Sequence, residues 1–247
     1  MKAMIFAAGL GTRLRPLTDS MPKALVKVDG TPMLQRVIMN LKNAGCNHIL
    51  INVHHFPDMI IDFLNSMQNF GIDIAVSDER DKLLDTGGGI VKAEKWLSGS
   101  EPFIVHNADI LTDLDLKTIY DHHKSSHADA TLLVSERKTS RYLLFDRQMK
   151  MNGWINVSTN EVKPTGIKCD LLNKYAFNGI HVISPSLLPA LSAFRGEDTP
   201  FSITEFYIDN CRSLDISGYI PEQPYSWFDI GKPASLAAAE TSIRLHH

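Results

Sequence analysis

The sequence predicts an α/β protein: a Rossmann-like, mostly parallel sheet flanked by helices, with a small β-rich insertion at about 138–175. Three observations lead there. Short apolar runs alternate with amphipathic stretches from the first residues onward. Glycine-bearing stretches follow directly after several of those runs, and open parallel sheets bind ligands beyond the carboxyl ends of their strands. From about Lys138 the pattern changes to short strands and turns. At 247 residues the chain is long enough to bury a substantial core, and it reads as a single domain over 1–247.

The elements follow in order. Ala3–Ala8 is an apolar run and reads as a buried strand. Pro32–Ala44 has helical spacing, with Met33, Val37 and Leu41 on one face and Gly45 placed as a C-cap. His48–Val53 is a strand, Asp58–Phe70 a helix and Ile72–Val76 a strand. Gly89–Leu97 reads as a helix, Pro102–His106 as a buried strand, Leu116–Ser126 as a helix and Ala130–Val134 as a strand. Such alternation implies right-handed βαβ units. Arg141–Asp146, Gly153–Val157 and Asn160–Lys163 are the short strands of the insertion, read as a lid. Phe177–Ile183 returns to the sheet, and Ser202–Asn210 and Lys232–Ile243 are helical.

Bulk composition excludes several classes. Hydrophobic residues make up 44% and charged residues 21%, with a formal net charge of −3. That balance argues against a general nucleic-acid binder. No stretch approaches the roughly 20 apolar residues of a membrane span. The N-terminal apolar run is too short and too interrupted for a signal peptide. Cys46, Cys169 and Cys211 are isolated, which fits reduced thiols and a cytoplasmic setting. The closing Leu245-His246-His247 carries no weight.

The first loop carries the chemistry. Ala7-Ala8-Gly9-Leu10-Gly11-Thr12-Arg13-Leu14 follows the first strand, and Pro22-Lys23-Ala24-Leu25 comes soon after. Glycine lets a backbone approach a ligand closely, and backbone N–H groups at a strand end suit phosphate. The Walker spacing is absent. The third glycine of a dinucleotide fingerprint is absent too, because position 14 is Leu. Arg13 offers a bidentate grip on phosphate and Lys23 a compact point charge. The alternative is a plain turn with two solvent-facing cations.

That long motif resembles the N-terminal signature of the sugar-1-phosphate nucleotidylyltransferases, in its compact subgroup. The resemblance continues through Val26–Leu34, Thr86-Gly87-Gly88-Gly89, Asn107-Ala108-Asp109, Asn178-Gly179-Ile180 and Trp227–Pro233, and so spans nearly the whole chain. It implies a GT-A-like nucleotidyltransferase fold. It also implies Mg²⁺-dependent transfer of a nucleotidyl group from a nucleoside triphosphate to a sugar 1-phosphate, releasing pyrophosphate. The nucleophile is an already ionised phosphate oxygen, so positioning and charge stabilisation suffice.

The resemblance assigns roles residue by residue. Ala8, Gly9, Gly11, Thr12 and Arg13 bind the nucleotide phosphates, and Gly87 and Gly88 contact the base. Arg13 and Lys23 are catalytic, and Lys23, Asn107 and Asn178 bind the sugar phosphate. Asp109 and Asp229 hold Mg²⁺. Glu161 and Lys163 lie where longer relatives carry sugar contacts. Read from residues alone, each aspartate is more often a turn former or cap than a metal ligand, Thr86–Gly89 is equally a glycine loop capped by Thr, and Asn178 equally a structural turn.

The resemblance favours UTP with N-acetylmuramate 1-phosphate. Mannose- or heptose-1-phosphate guanylyl transfer and phosphocholine cytidylyl transfer are the alternatives, and a nucleotide-sugar-binding sensor is the non-enzyme one. A monomer or small homo-oligomer is expected, and charge and hydropathy point to no nucleic-acid or membrane partner. Hexapeptide repeats are absent, so acetyltransfer is not supported. His54-His55 and His122-His123 read as surface or capping residues, because adjacent side chains diverge. Asp113 reads as the cap of the helix that follows it.

Overall fold

The computed structural model describes residues 1–196 and 198–245; His246 and His247 lie outside the described residues. In chain order the elements are β1 (Lys2–Phe6), β2 (Lys27–Val28), β3 (Thr31–Pro32), α1 (Met33–Asn43), β4 (His48–Val53), α2 (Pro57–Ser66) and β5 (Asp73–Asp78). Next come α3 (Asp85–Lys92), α4 (Glu94–Leu97), β6 (Phe103–Asn107), β7 (Ile110–Thr112), α5 (Leu116–Ser126), β8 (Ala130–Ser135), β9 (Arg141–Phe145), β10 (Met151–Asn156) and β11 (Glu161–Lys163). The chain continues with β12 (Asn173–Ile183), α6 (Leu188–Arg195), α7 (Ile203–Asn210), β13 (Ile216–Tyr219), β14 (Trp227–Asp229) and α8 (Pro233–Leu245). These elements form two compact units.

The first unit comprises Met1–Leu83, Val105–Lys117 and the segment from Gln223. Its strands β1, β4 and β5 pair in parallel, with Ile5 beside Ile51 and Ile51 beside Val76. The helix α1 between β1 and β4 forms because Met33, Leu34, Val37, Ile38 and Leu41 make one apolar stripe, and all five are buried. Gly45 ends it at a φ of 96°, a left-handed conformation that suits glycine. The N–H of Gly45 bonds the Lys42 carbonyl at 2.9 Å, and that of Cys46 bonds the Leu41 carbonyl at 2.9 Å.

The second unit comprises Leu84–Ile104 and Thr118–Glu222. Its long strand β12 pairs antiparallel with β8 and with β9, and β13 runs parallel to β8. From β9 an antiparallel meander continues through β10 to β11, so the strands expected between 138 and 175 are present. The core is built from Phe145, Ile180, Phe206 and Tyr207, all essentially inaccessible. Tyr207 gives its hydroxyl a partner in His181, at 2.8 Å.

Three expectations are corrected. The glycines Gly87–Gly89 are not a loop before a helix: α3 begins at Asp85 and contains them. His123 is not a surface residue. It is buried, with Nδ1 2.8 Å from Thr131 Oγ1 and Nε2 3.0 Å from Ser184 Oγ, so the polar ring is absorbed by neighbouring hydroxyls. Asp113 does not cap α5; its carboxylate accepts the N–H of Ser226 at 2.7 Å, while Asp115 accepts that of Lys117 at 2.9 Å. Six elements, β2, β3, β7, α6, β13 and β14, were not foreseen. The glycine inside β13 hid it. Gly218 is there because a Cβ would stand 2.9 Å from Met149 and 3.0 Å from Phe145.

Candidate active site

The first unit assembles four charged residues from three separate stretches of chain. Beyond β1 the backbone leaves regular structure at Ala7, whose N–H is held by the Asn52 side chain at 2.9 Å. The Asn52 amide is in turn held by Glu79 at 2.8 Å. This buried pair fixes where the loop departs. Gly9, Leu10 and Gly11 lie outside helix and strand, so no ladder uses their N–H groups, and Gly9 and Leu10 are exposed.

Gly11 has a φ of 65°, which an L side chain tolerates poorly. A Cβ there would also stand 2.9 Å from Thr18 Cγ2 and 3.1 Å from Lys23 Cβ. The Thr18 hydroxyl donates to the Gly11 carbonyl at 2.8 Å. Buried Leu14 and Thr18 thus anchor the loop, and Thr12 and Arg13 stay exposed on it. Ala8 is buried beneath it.

The aspartates arrive by a different route. Asp109 immediately precedes β7 and Asp229 closes β14. These two strands pair antiparallel, with Asp229 opposite Ile110. The N–H of Ile230 bonds the Asp109 carbonyl at 3.0 Å. The ladder therefore places both carboxylates at one end. Asp109 accepts a hydrogen bond from the Lys23 ammonium, and this ion pair is mostly shielded.

Gly231 is the point of convergence. A Cβ on it would stand 2.6 Å from Arg13 Nη2, 2.7 Å from Asp229 Oδ1 and 2.9 Å from Lys23 Nζ. Its own N–H donates to Asp229 Oδ1 at 2.8 Å. Arg13, Lys23 and Asp229 thus meet around one bare backbone position, with Asp109 paired to Lys23. At a single focus this is an arrangement for a polyanion and its counter-charges.

Asn107 ends β6 in the same unit. Its carbonyl accepts the Nδ1–H of His106 at 2.8 Å. Burial pushes the His106 imidazole down to about 4, so the ring is neutral and its Nδ1 carries the proton.

The remaining predicted residues sit in the second unit. Gly87 and Gly88 open α3 against the Thr199–Phe201 stretch. The N–H of Gly87 donates to the Phe201 carbonyl at 2.8 Å and that of Gly88 to the same oxygen at 3.4 Å. A Cβ on Gly87 would lie 2.1 Å from the Phe201 ring, and one on Gly88 2.8 Å from the Thr199 carbonyl. Packing therefore accounts for both glycines. Asn178 is buried, and its amide oxygen accepts from Arg137 Nε at 3.0 Å and Ser135 Oγ at 3.2 Å.

A family model described as nucleotidyl transferase matches residues 2–245. The chain belongs to that nucleotidyl transferase family. It is 30% identical, over 252 residues, to a probable mannose-1-phosphate guanylyltransferase 1 of Oryza sativa subsp. japonica. That match takes in 100% of this chain and 64% of the rice protein, so the chain spans less than two thirds of that relative's length. It is 42% identical, over 138 residues, to the N-acetylmuramate alpha-1-phosphate uridylyltransferase of Neisseria meningitidis serogroup B. That second match covers 55% of this chain and 59% of the relative.

The fold is likewise shared with a putative glucose-1-phosphate thymidylyltransferase from Bacillus anthracis crystallised with sucrose. The two superpose with a TM-score of 0.80 over 99% of this chain and 95% of the other, at 22% identity. As a nucleotidyl transferase family member the chain is an α/β protein of GT-A-like fold, as the sequence predicts.

Sequence reasoning missed Gly231 and the Asn52–Glu79 brace. Gly231 had a signal, since a glycine two positions beyond a proposed metal aspartate permits close approach. Asn52 and Glu79 had none, because their pairing across β4 and the end of β5 is visible only in the folded chain.

Proposed function

We propose that this nucleotidyl transferase catalyses transfer of a nucleotidyl group from a nucleoside triphosphate to a sugar 1-phosphate, releasing pyrophosphate. The observation that carries the reading is the convergence of Arg13, Lys23 and Asp229 at Gly231, with Asp109 bound to Lys23. Two cations and two carboxylates at one focus are what a metal-bound polyphosphate requires.

Asp109 and Asp229 fit Mg²⁺. They are hard oxygen donors held at the end of one ladder. Among the described residues no group of three or more His, Cys, Asp or Glu could hold a metal by itself. A cation that takes one or two carboxylates and completes its shell with phosphate oxygens and water matches that donor set. When bound, Mg²⁺ supplies charge neutralisation at the phosphate that is attacked.

The chain's own residues do the rest. The backbone N–H groups from Gly9 to Thr12 receive phosphate oxygens at the open loop. Arg13 grips the triphosphate and favours departure of pyrophosphate. Lys23 exchanges its carboxylate partner for the phosphate of the nucleotide and the incoming sugar phosphate, lowering repulsion between two anions. Neither a base nor a covalent nucleophile is required. Asn107 adds a proposed contact to the sugar phosphate; on the family resemblance alone, Asn178 is proposed to contact a sugar, and Gly87 and Gly88 a base through their backbone.

The substrates we favour are UTP and N-acetylmuramate 1-phosphate. The Neisseria uridylyltransferase, 42% identical over 55% of this chain, supports this choice, and the rice guanylyltransferase, 30% identical over the whole chain, supports the alternative of GTP with mannose 1-phosphate. Pyrophosphate release, measured with each nucleoside triphosphate against a panel of sugar 1-phosphates and phosphocholine, tests it. A Mg²⁺-dependent signal with UTP and N-acetylmuramate 1-phosphate is expected. GTP with mannose 1-phosphate as the best pair would replace the substrates, and silence throughout would overturn the activity.

A further inference from the structure

The parallel strands of the first unit end in an open edge. β5 is the last strand in the order β1, β4, β5, and among the described residues it pairs with β4 alone. The Asp73 N–H bonds the Asn47 carbonyl at 3.0 Å, and the Glu79 N–H bonds that of Val53 at 2.7 Å. Both partners lie on the β4 side. Alternate residues of a parallel strand turn their main-chain groups to opposite neighbours. The groups of Ile74 and Val76 therefore face away from β4, and the Val76 side chain is exposed.

Folded proteins guard such an edge with proline, lysine or a bulge. β5 reads Asp-Ile-Ala-Val-Ser-Asp, and its register with β4 is unbroken from Asp73 to Asp78. It carries none of those three guards. Its aspartates stand at the two ends. Between them Ile74, Ala75, Val76 and Ser77 are uncharged, and the two β-branched residues among them suit cross-strand pairing.

The two ends of the edge differ in charge. Near its start the Lys42 ammonium bonds the Phe70 carbonyl at 2.6 Å, and no carboxylate pairs with it among the described residues. Asp73 stands at the same end with His48, at 2.9 Å. At the far end Asp58 and Asp78 share one cation, Arg80, at 2.9 and 2.7 Å, which leaves a carboxylate charge in excess. A parallel mate of the same sequence would set acid against acid. An antiparallel mate sets the acidic end of each strand against the end of the other that holds Lys42 and His48. The edge is thus complementary to itself under a two-fold axis, the condition for pairing between identical chains.

We propose that β5 pairs antiparallel with β5 of a second copy of this chain, about a two-fold axis at Val76, giving a homodimer with one sheet running through both copies. Val76 exchanges both its main-chain bonds with Val76 of the second copy, at a Cα separation of about 5.5 Å. Ile74 lies opposite Asp78 of the second copy, and Ile72 opposite its Arg80, next to Asp73. The contact is small, so the dimer is weak, in the micromolar range. Arg13, Lys23, Asp109 and Asp229 of each copy come from one chain, so the focus at Gly231 is complete without the mate.

Sedimentation velocity, run from nanomolar to submillimolar protein, tests this. A species of twice 27.6 kDa should grow with concentration. Val76→Lys and Val76→Asp each set like charges against each other on the axis, and each should weaken the dimer about 10-fold or more. Mixed in equal amounts they should restore it, since lysine then meets aspartate. A loss of fold would not be repaired by mixing. Val76→Cys is the gentler probe, because the separation across the axis suits a disulfide. Mild oxidation should give a covalent dimer that the unaltered protein does not form. A monomer at every concentration overturns the proposal and leaves the edge to a strand of a different protein. A dimer indifferent to both charged substitutions, or no cross-link in Val76→Cys, overturns it as well.

Discussion

Asp109 and Asp229 are brought together by backbone pairing. The Ile230 N–H reaches the Asp109 carbonyl at 3.0 Å, and Asp229 sits opposite Ile110. Two carboxylates side by side repel unless a cation lies between or beside them, and here Lys23 already bonds one of them. Asp109→Asn should therefore lower kcat on the order of 10²–10³-fold and leave the thermal midpoint nearly unchanged. A magnesium titration of pyrophosphate release, run beside a melting curve, decides this. Near-normal rates at the usual Mg²⁺ concentration would remove Asp109 from the metal site.

Lys23→Ala should raise KM for the sugar phosphate and lower kcat, because the proposed mechanism has one cation serve both phosphates. Steady-state kinetics with each substrate varied in turn will show it. An unchanged profile would mean that Lys23 serves only to neutralise Asp109.

Gly231→Ala is the more discriminating change. The added methyl would press on the ends of Arg13, Lys23 and Asp229. Those ends are flexible, so the fold should tolerate the methyl while the focus disperses. Misplacing such groups by about 1 Å costs on the order of 10²-fold in rate. Activity should fall by that factor with a thermal midpoint close to that of the unaltered protein. Full activity would show that Gly231 is incidental.

Gly87→Ala should behave in the opposite way. Its methyl would overlap the Phe201 ring, and overpacking of this kind costs about 1–3 kcal/mol. The variant should melt earlier, and Phe201→Leu should rescue it. A stable Gly87→Ala would overturn this account of the glycine.

Stability should fall in mild acid. Burial holds folded His106 and His123 down at about 4, from an ordinary value of 6.5. Between those values the unfolded chain binds protons that the folded chain refuses, so stability is lost as pH falls from about 6.5 towards 4. Each ring accounts for at most roughly 3 kcal/mol over the whole window. Urea unfolding at several pH values should show the slope, and His123→Gln should flatten it. An identical slope in the variant would exclude His123.

The parts legible in the sequence were those set by local pattern. The α1 stripe and the apolar run of β4 have strong periodicity and near-perfect boundaries. Arg13 and Lys23 were legible because the loop chemistry is contiguous in the chain. The start of α3 was not, because three successive glycines read as a loop; only the Thr199–Phe201 stretch, far along the chain, explains why they are helical. His123 was misread for the same kind of reason, since Thr131 and Ser184 absorb it from other elements. Gly231 gains its meaning from what converges on it, Arg13, Lys23 and Asp229, from stretches that no local window contains.

The bond between Lys23 and Asp109 also bears on the order in which reactants arrive. On the proposed reading, the Lys23 ammonium and the metal ion are rivals for the Asp109 carboxylate. A lone divalent cation must compete with a lysine that never diffuses away. A nucleotide that arrives with its cation brings the phosphate that draws the lysine off and the ion that replaces it. The triphosphate and its metal should therefore enter as a single package, with calorimetry recording little heat from Mg²⁺ alone.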